Sequence, residues 1–203
     1  LTPLMTYQLL NQYGSQMSNF FKWIYFKVLK WKLVGEMPKI DKMILPVIPH
    51  THWNDFLMGI IIRNVINERI NFVGKKEIFG PISGWFFKIM GGVSVERNSR
   101  SNTVNSIVKI FERKKIFRLA LAPEGTRKKV KDWKTGFYHV AKLANVPICL
   151  VSFDYGKKQI VFHELFYPTN NMKKDLNFLK RQFKGVVGRI PKYSWVYDDK
   201  FSQ

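Results

Sequence analysis

From residue 42 onward, short apolar runs of strand length alternate with longer stretches of helical period. The runs are "KMILPVIP", "INFVGK", "GGVSVER", "FRLALAP", "VPICLVSF" and "QIVFHELF". The stretches are "WNDFLMGIIIRNVINER" and residues 101–115, 135–145 and 172–186. Each puts apolar residues at helical spacing: Leu57, Ile60, Ile61 and Val65; Val104, Ile107, Val108 and Phe111; Phe137, Val140, Ala141 and Ala144; Met172, Leu176, Leu179 and Phe183. Strands alternating with helices predict an α/β fold, a largely parallel central sheet flanked by helices. Ligands of such sheets bind beyond the carboxyl ends of the strands, so the chemistry is expected just after the apolar runs.

The chain of 203 residues suits one domain or one domain with a small appendage, and 46% hydrophobic residues can fill a sizeable core. A single cysteine, Cys149, excludes a disulfide within the chain and a cysteine-based zinc cluster, and fits a reducing, cytoplasmic setting. The chain begins at Leu1, and no secretory signal pattern stands at its start. A net charge of +20 calls for an anionic partner: nucleic acid, an acidic membrane or phosphorylated small molecules.

Residues 1–34 differ in texture from the domain expected over 35–203. The segment "SNFFKWIYFKVLKWKLV", residues 18–34, is too interrupted by lysine to span a bilayer. On a helical wheel Lys22, Lys27 and Lys30 fall within about 140°, with Trp23 and Phe26 among them. Phe20, Ile24, Val28, Leu29 and Trp31 take the other side. This predicts an amphipathic helix lying in a membrane interface, with Phe20, Trp23, Lys27 and Trp31 as interfacial residues. The competing reading is an amphipathic helix packed on the protein's own core.

Four strand ends carry unusual residues: His50 to Asp55 in "PHTHWNDF", "GKKE" at 74–77, "GGVSVERN" at 91–98 and "PEGTRKK" at 123–129. Together they offer a histidine–carboxylate pair and at least three cations, a combination suited to proton abstraction beside an anionic group. Five steps along a straight helix turn about 500°, so His50 and Asp55 share no helical face. They meet if His50 lies on the strand-to-helix turn and Asp55 in the first helical turns, where the helix dipole also favours it. A carboxylate on one ring nitrogen fixes the tautomer and leaves the other as a base. The plainer alternative is a helix cap, Asp55 or Asn54, beside a structural histidine.

His50-Thr51-His52 has the H-x-H form of a metal pair, but no third ligand has fitting spacing, and no metal is expected. Gly91-Gly92 and Gly125 allow tight turns and close backbone approach. Arg127 offers a planar fork suited to phosphate. Glu124 either orients an arginine or braces its turn. The phosphate-binding patterns G-x-G-x-x-G and G-x-x-x-x-G-K-[ST] and the serine pattern G-x-S-x-G are missing, which disfavours a covalent serine enzyme.

Taken in order, these motifs resemble those of the glycerolipid (lysophospholipid) acyltransferase family, the 1-acylglycerol-3-phosphate acyltransferase-like enzymes. The resemblance rests on His-x4-Asp (His50, Asp55), a Gly-Gly pair followed by Arg97, Glu-Gly-Thr-Arg (Glu124, Gly125, Thr126, Arg127), and the apolar segment around Pro147. Lys75 in "KKEI" matches a further family lysine, and the likeness covers roughly residues 31–165. It implies that His50, oriented by Asp55, deprotonates the acceptor hydroxyl, which attacks an acyl thioester with no acyl-enzyme intermediate. It implies substrate-binding roles for Lys75, Gly92, Arg97, Glu124, Gly125, Thr126 and Arg127, with the cations holding phosphate.

The expected partners are an anionic lipid bilayer, a lysophospholipid such as 1-acyl-sn-glycerol 3-phosphate, and acyl-coenzyme A or acyl carrier protein. The thioester is a co-substrate, and no cofactor is expected. The expected location is the cytoplasmic face of the cell membrane, peripheral or monotopic. Alternatives are another acceptor such as an amino-acid lipid, a hydrolase using the same residues on water, and a basic nucleic-acid-binding protein. The last is favoured by aromatics interleaved with lysines at 20–32 but leaves the His–Asp pair idle.

Overall fold

A computed structural model describes residues 16–81, 84–95 and 100–197. Helix α1 occupies 16–22 and passes into a π-helical turn, Trp23–Val28. Then come β1 (Lys32–Val34), β2 (Lys42–Ile48), α2 (Asn54–Val65), β3 (Asn71–Lys75), a 3₁₀ turn (Lys76–Phe79), α3 (Gly84–Ile89) and β4 (Gly92–Val95). The second half holds α4 (Arg100–Arg113), β5 (Phe117–Leu121), α5 (Gly136–Leu143), β6 (Ile148–Asp154), β7 (Gln159–Phe166) and α6 (Met172–Arg181). The seven strands form one mixed sheet in the order β1-β7-β6-β2-β5-β3-β4. Every pairing is parallel except the β6–β7 hairpin. The expected α/β architecture with a mostly parallel sheet is therefore present.

Strand β2 explains where the site must be. Its "KMILPVI" is buried on both faces, as a central strand between two helical layers requires. Side chains alternate across the sheet. Met43 and Leu45 join one core with Tyr25, Trp31, Met58, Ile62 and Phe162. Ile44 and Ile48 join the other with Phe111, Phe117, Phe137, Val140 and Leu179. On either side of β2 run β5 and β6, both parallel to it, so three carboxyl ends lie side by side.

The structure departs from the sequence reading in three places. Residues 18–34 are not one helix. The helical segment stops at Val28, Lys30 takes a positive φ of 55°, and Lys32–Val34 join the sheet beside β7. The chain reverses there because the Trp31 N–H returns to the Tyr25 carbonyl at 3.0 Å, which drops Trp31 into the core. Trp31 is 6% exposed and meets Tyr155 edge-on, with ring centres 4.8 Å apart. It is therefore a core residue rather than an interfacial one, whereas Phe20, Trp23 and Lys27 are exposed.

The buried face of α2 is also turned from the expected one. Met58, Ile62 and Val65 are buried, and Leu57 is exposed. The phase is set by Asp55, which is buried on that same face at spacings of three, seven and ten residues from those three. The third departure is α3, whose "GWFFKI" carries no strong helical period. The faces expected for α4, α5 and α6 hold, with Ile107, Phe111, Phe137, Val140, Ala141, Leu176, Leu179 and Phe183 all buried; Met172 alone of the α6 set is exposed.

Candidate active site

His50 stands on the turn after β2, two residues past its end, and Asp55 is the second residue of α2. His50 Nδ1 lies 3.1 Å from Asp55 Oδ2. The same oxygen accepts the backbone N–H of Thr51 at 2.8 Å and of His52 at 2.9 Å, and Oδ1 accepts the Tyr155 hydroxyl at 2.8 Å. The turn is thus wrapped around one carboxylate.

Burial works against the charge of Asp55. The hydrogen bonds from His50, His52 and Tyr155 outweigh it and hold the carboxyl below its ordinary range. An ionised carboxylate only accepts, so the proton facing it must sit on His50 Nδ1. In the neutral imidazole, Nε2 then keeps its lone pair. The His50 side chain is 28% exposed and that of Asp55 2%, so the imidazole faces outward from a buried anchor. His52 differs: its Nδ1 accepts the backbone N–H of Asn54 at 3.2 Å, and no carboxylate pairs with its ring among the described residues.

Glu124, on the loop after β5, is 1% exposed, and its Oε2 accepts the His50 backbone N–H at 2.6 Å. Burial pushes its carboxyl up to about 7, the His50 N–H pulls it down, and the nearby Asp55 charge adds to the rise. This hydrogen bond gives Glu124 a partner on another loop. It ties the β5 loop to the β2 loop. Gly125 follows with φ +64°, a backbone conformation that favours glycine at this turn. Thr126 and Arg127 are exposed on the same loop, and Thr126 Oγ1 accepts the Lys128 N–H at 3.3 Å.

The other predicted positions are spread unevenly. Lys75 ends β3, paired with Val95 at the end of β4, so its backbone reaches the carboxyl edge of the sheet. Gly92 does not. It pairs with Phe72, which pairs with Ala120, level with Leu45 in the interior of the sheet. A Cβ on Gly92 would meet the Phe87 carbonyl at 2.7 Å, so this glycine serves packing under α3. Gly91, with φ +87°, forms the tight turn before it. Arg97 lies outside the described residues. The structure therefore unites His50, Asp55 and Glu124, with Thr126 and Arg127 on the continuation of the same loop.

Three neighbours went unnoticed in the sequence. Tyr155 directly follows β6, and scanning that strand end as the others were scanned would have found it. Thr51 accepts the Ile190 N–H at 3.1 Å through Oγ1, and Arg189 reaches Asn54. Both contacts join residues well over a hundred positions apart, which no local pattern encodes. Beside the β5 loop, a cavity of about 980 Å³ opens between α4 and α5, lined by Val104, Ile107, Leu121, Pro123, Phe137 and Val140 among others. Among the described residues, no helix is long and apolar enough to cross a membrane.

Residues 32–154 match the family model described as Acyltransferase. The chain is 29% identical over 121 residues to the 1-acyl-sn-glycerol-3-phosphate acyltransferase of Escherichia coli K12, covering 56% of this chain and 49% of that one. It is 26% identical over 166 residues to the enzyme of the same name from Saccharomyces cerevisiae, covering 71% and 54%. The chain thus spans about half the length of these relatives. Its fold resembles the crystal structure of the 1-acyl-sn-glycerophosphate (LPA) acyltransferase PlsC from Thermotoga maritima. The TM-score is 0.56 at 20% identity, covering 83% of this chain and 76% of that one. On a family match that takes in more than half its length, including the His50–Asp55 pair and the Glu124 loop, this chain belongs to the acyltransferase family.

Proposed function

We propose that the protein transfers a fatty acyl group from a thioester to the free hydroxyl of a glycerol-phosphate-type lysolipid, with 1-acyl-sn-glycerol 3-phosphate the first acceptor to test. The observation that carries this reading is the partly exposed His50 imidazole backed by the buried, ionised Asp55. The names of the matched relatives supply the acceptor class.

His50 Nε2 takes the proton of the acceptor hydroxyl as the oxygen attacks the thioester carbonyl. The imidazolium formed is stabilised by Asp55 and returns its proton to the departing thiolate as the tetrahedral intermediate collapses. A new ester and a free thiol result, and the enzyme ends in its starting protonation state. Tyr155 and the Thr51 and His52 amides keep Asp55 aimed, and Glu124 keeps the His50 backbone in place. Lys75, Arg97, Thr126 and Arg127 are assigned to phosphate recognition, and the cavity between α4 and α5 to an acyl chain. The donor is acyl-coenzyme A or acyl carrier protein, both anionic, and the +20 charge favours their approach.

The N-terminal helical segment is assigned to the lipid surface on the cytoplasmic face of the membrane. Phe20 and Trp23 are each 57% exposed, and Lys22, Lys27 and Lys30 are exposed around them. The experiment is product analysis with purified protein, acyl-coenzyme A, and 1-acyl-sn-glycerol 3-phosphate present or absent. Acceptor-dependent diacyl product is expected. Free fatty acid released equally with or without acceptor would instead assign a hydrolase.

A further inference from the structure

Arg189 belongs to none of the motifs quoted above and lies beyond residue 154, where the family match ends. We propose that Arg189 is a phosphate-binding residue of this site, presenting its guanidinium on Asn54 beside the turn that carries His50 and Asp55. The proposal rests on the transferase reading for its choice of substrate.

Its backbone is held from both sides. The Val187 carbonyl accepts the Tyr155 N–H at 2.8 Å, the Gly188 N–H donates to Ser194 Oγ at 2.8 Å, and the Ile190 N–H donates to Thr51 Oγ1 at 3.1 Å. Gly188 sits so close to the catalytic turn that a Cβ would come within 2.7 Å of the Thr51 methyl. The strap that carries Arg189 is therefore docked on the residue next to His50.

The guanidinium is aimed by Asn54, the residue before Asp55. In the amide orientation that satisfies both neighbours, Asn54 Oδ1 accepts from Arg189 Nη1 at 3.3 Å and Nη2 at 3.2 Å, and Asn54 Nδ2 donates to His52 Nδ1. Arg189 is exposed and has no carboxylate partner among the described residues. Asp55 has its oxygens taken up by the turn and Tyr155, and its charge already faces His50. With its Nη1/Nη2 end seated on Asn54, the guanidinium keeps its Nε–H and outer Nη2–H side by side for two phosphate oxygens. Its field also reaches Tyr155, where it opposes the upward push of burial and of Asp55 on the phenol.

The phosphate can come from the acceptor headgroup or from the donor's coenzyme A moiety, and the test separates them. Equilibrium binding of lysophosphatidate in neutral detergent micelles and of coenzyme A is measured for wild type, Arg189→Lys and Arg189→Ala. Monoacylglycerol and pantetheine serve as phosphate-free counterparts. In Arg189→Ala, a loss of at least about tenfold is expected for one or both phosphate probes. The phosphate-free counterparts should stay unchanged, and lysine should restore part of the loss. Loss on lysophosphatidate assigns the acceptor, and loss on coenzyme A the donor. Unchanged binding of both, equal loss for the phosphate-free probes, or a wild type that binds neither overturns the proposal. Binding is read without turnover, so a wild type that binds but transfers nothing would contradict the transferase reading while leaving Arg189 decided.

Discussion

The Glu124 carboxylate accepts the backbone N–H of His50 at 2.6 Å across 74 positions of chain. Two loops that leave neighbouring parallel strands are thereby locked into one piece. The carboxyl is raised to about 7 from its ordinary 4.5 because it is buried. Between those values the folded protein holds more protons than the unfolded chain, so this group's contribution to stability is full below 4.5 and lost as pH rises through about 7. Glutamine can accept the same N–H without titrating. Denaturant midpoints of Glu124→Gln should therefore fall less steeply than wild type across that window. Identical slopes would remove the buried charge from the account.

An amide oxygen could still face His50, Thr51 and His52, because all three point at one oxygen of Asp55, but it would carry no charge to stabilise the imidazolium. Asp55→Asn is expected to lower kcat by about 10²–10⁴-fold with a smaller change in KM. A variant retaining most of its kcat would separate Asp55 from the imidazole's task.

Tyr155→Phe removes only the hydroxyl that donates to Asp55 Oδ1 and keeps the ring against Trp31. About 1 kcal/mol of stability should be lost, with a several-fold drop in kcat as the carboxylate loses an aiming contact. Unchanged kcat would show that the backbone amides suffice.

Lipid association is assigned to exposed aromatics, so Phe20→Ser/Trp23→Ser should weaken binding to anionic vesicles at least about tenfold and leave the melting temperature nearly unchanged. Vesicle sedimentation reads this directly. Trp31→Ser should do the reverse, unfolding the domain because that ring is core. Equal vesicle binding by wild type and the double variant would move the membrane contact elsewhere.

Much of this was legible in sequence because it is written locally. Strand β2 and the turn after it announce themselves through "MILPVI" followed at once by His50 and Asp55, and helices α4 to α6 through their period. Glu124 was found as part of a motif and read as orienting an arginine or bracing its turn, but its hydrogen-bond partner, a backbone amide of another loop, was not legible. The phase of α2 was misread because the pattern weighed Leu57 and Ile61 and ignored a buried Asp55. Residues 18–34 misled in a similar way: their composition suits one helix, yet tertiary contacts of Tyr25 and Trp31 bend the chain into a strand. Arg189 was invisible, because what places it is a strap folded back from the far end of the chain.

The central claim is that the His50 imidazole takes the proton of the acceptor hydroxyl. Its most direct test is thiol release from acyl-coenzyme A in the presence of 1-acyl-sn-glycerol 3-phosphate, comparing wild type with His50→Ala at equal concentrations of folded protein. Loss of about 10²–10⁴-fold in kcat with a native circular dichroism spectrum is the expected result. A folded His50→Ala protein that turns over within a few fold of wild type would contradict it.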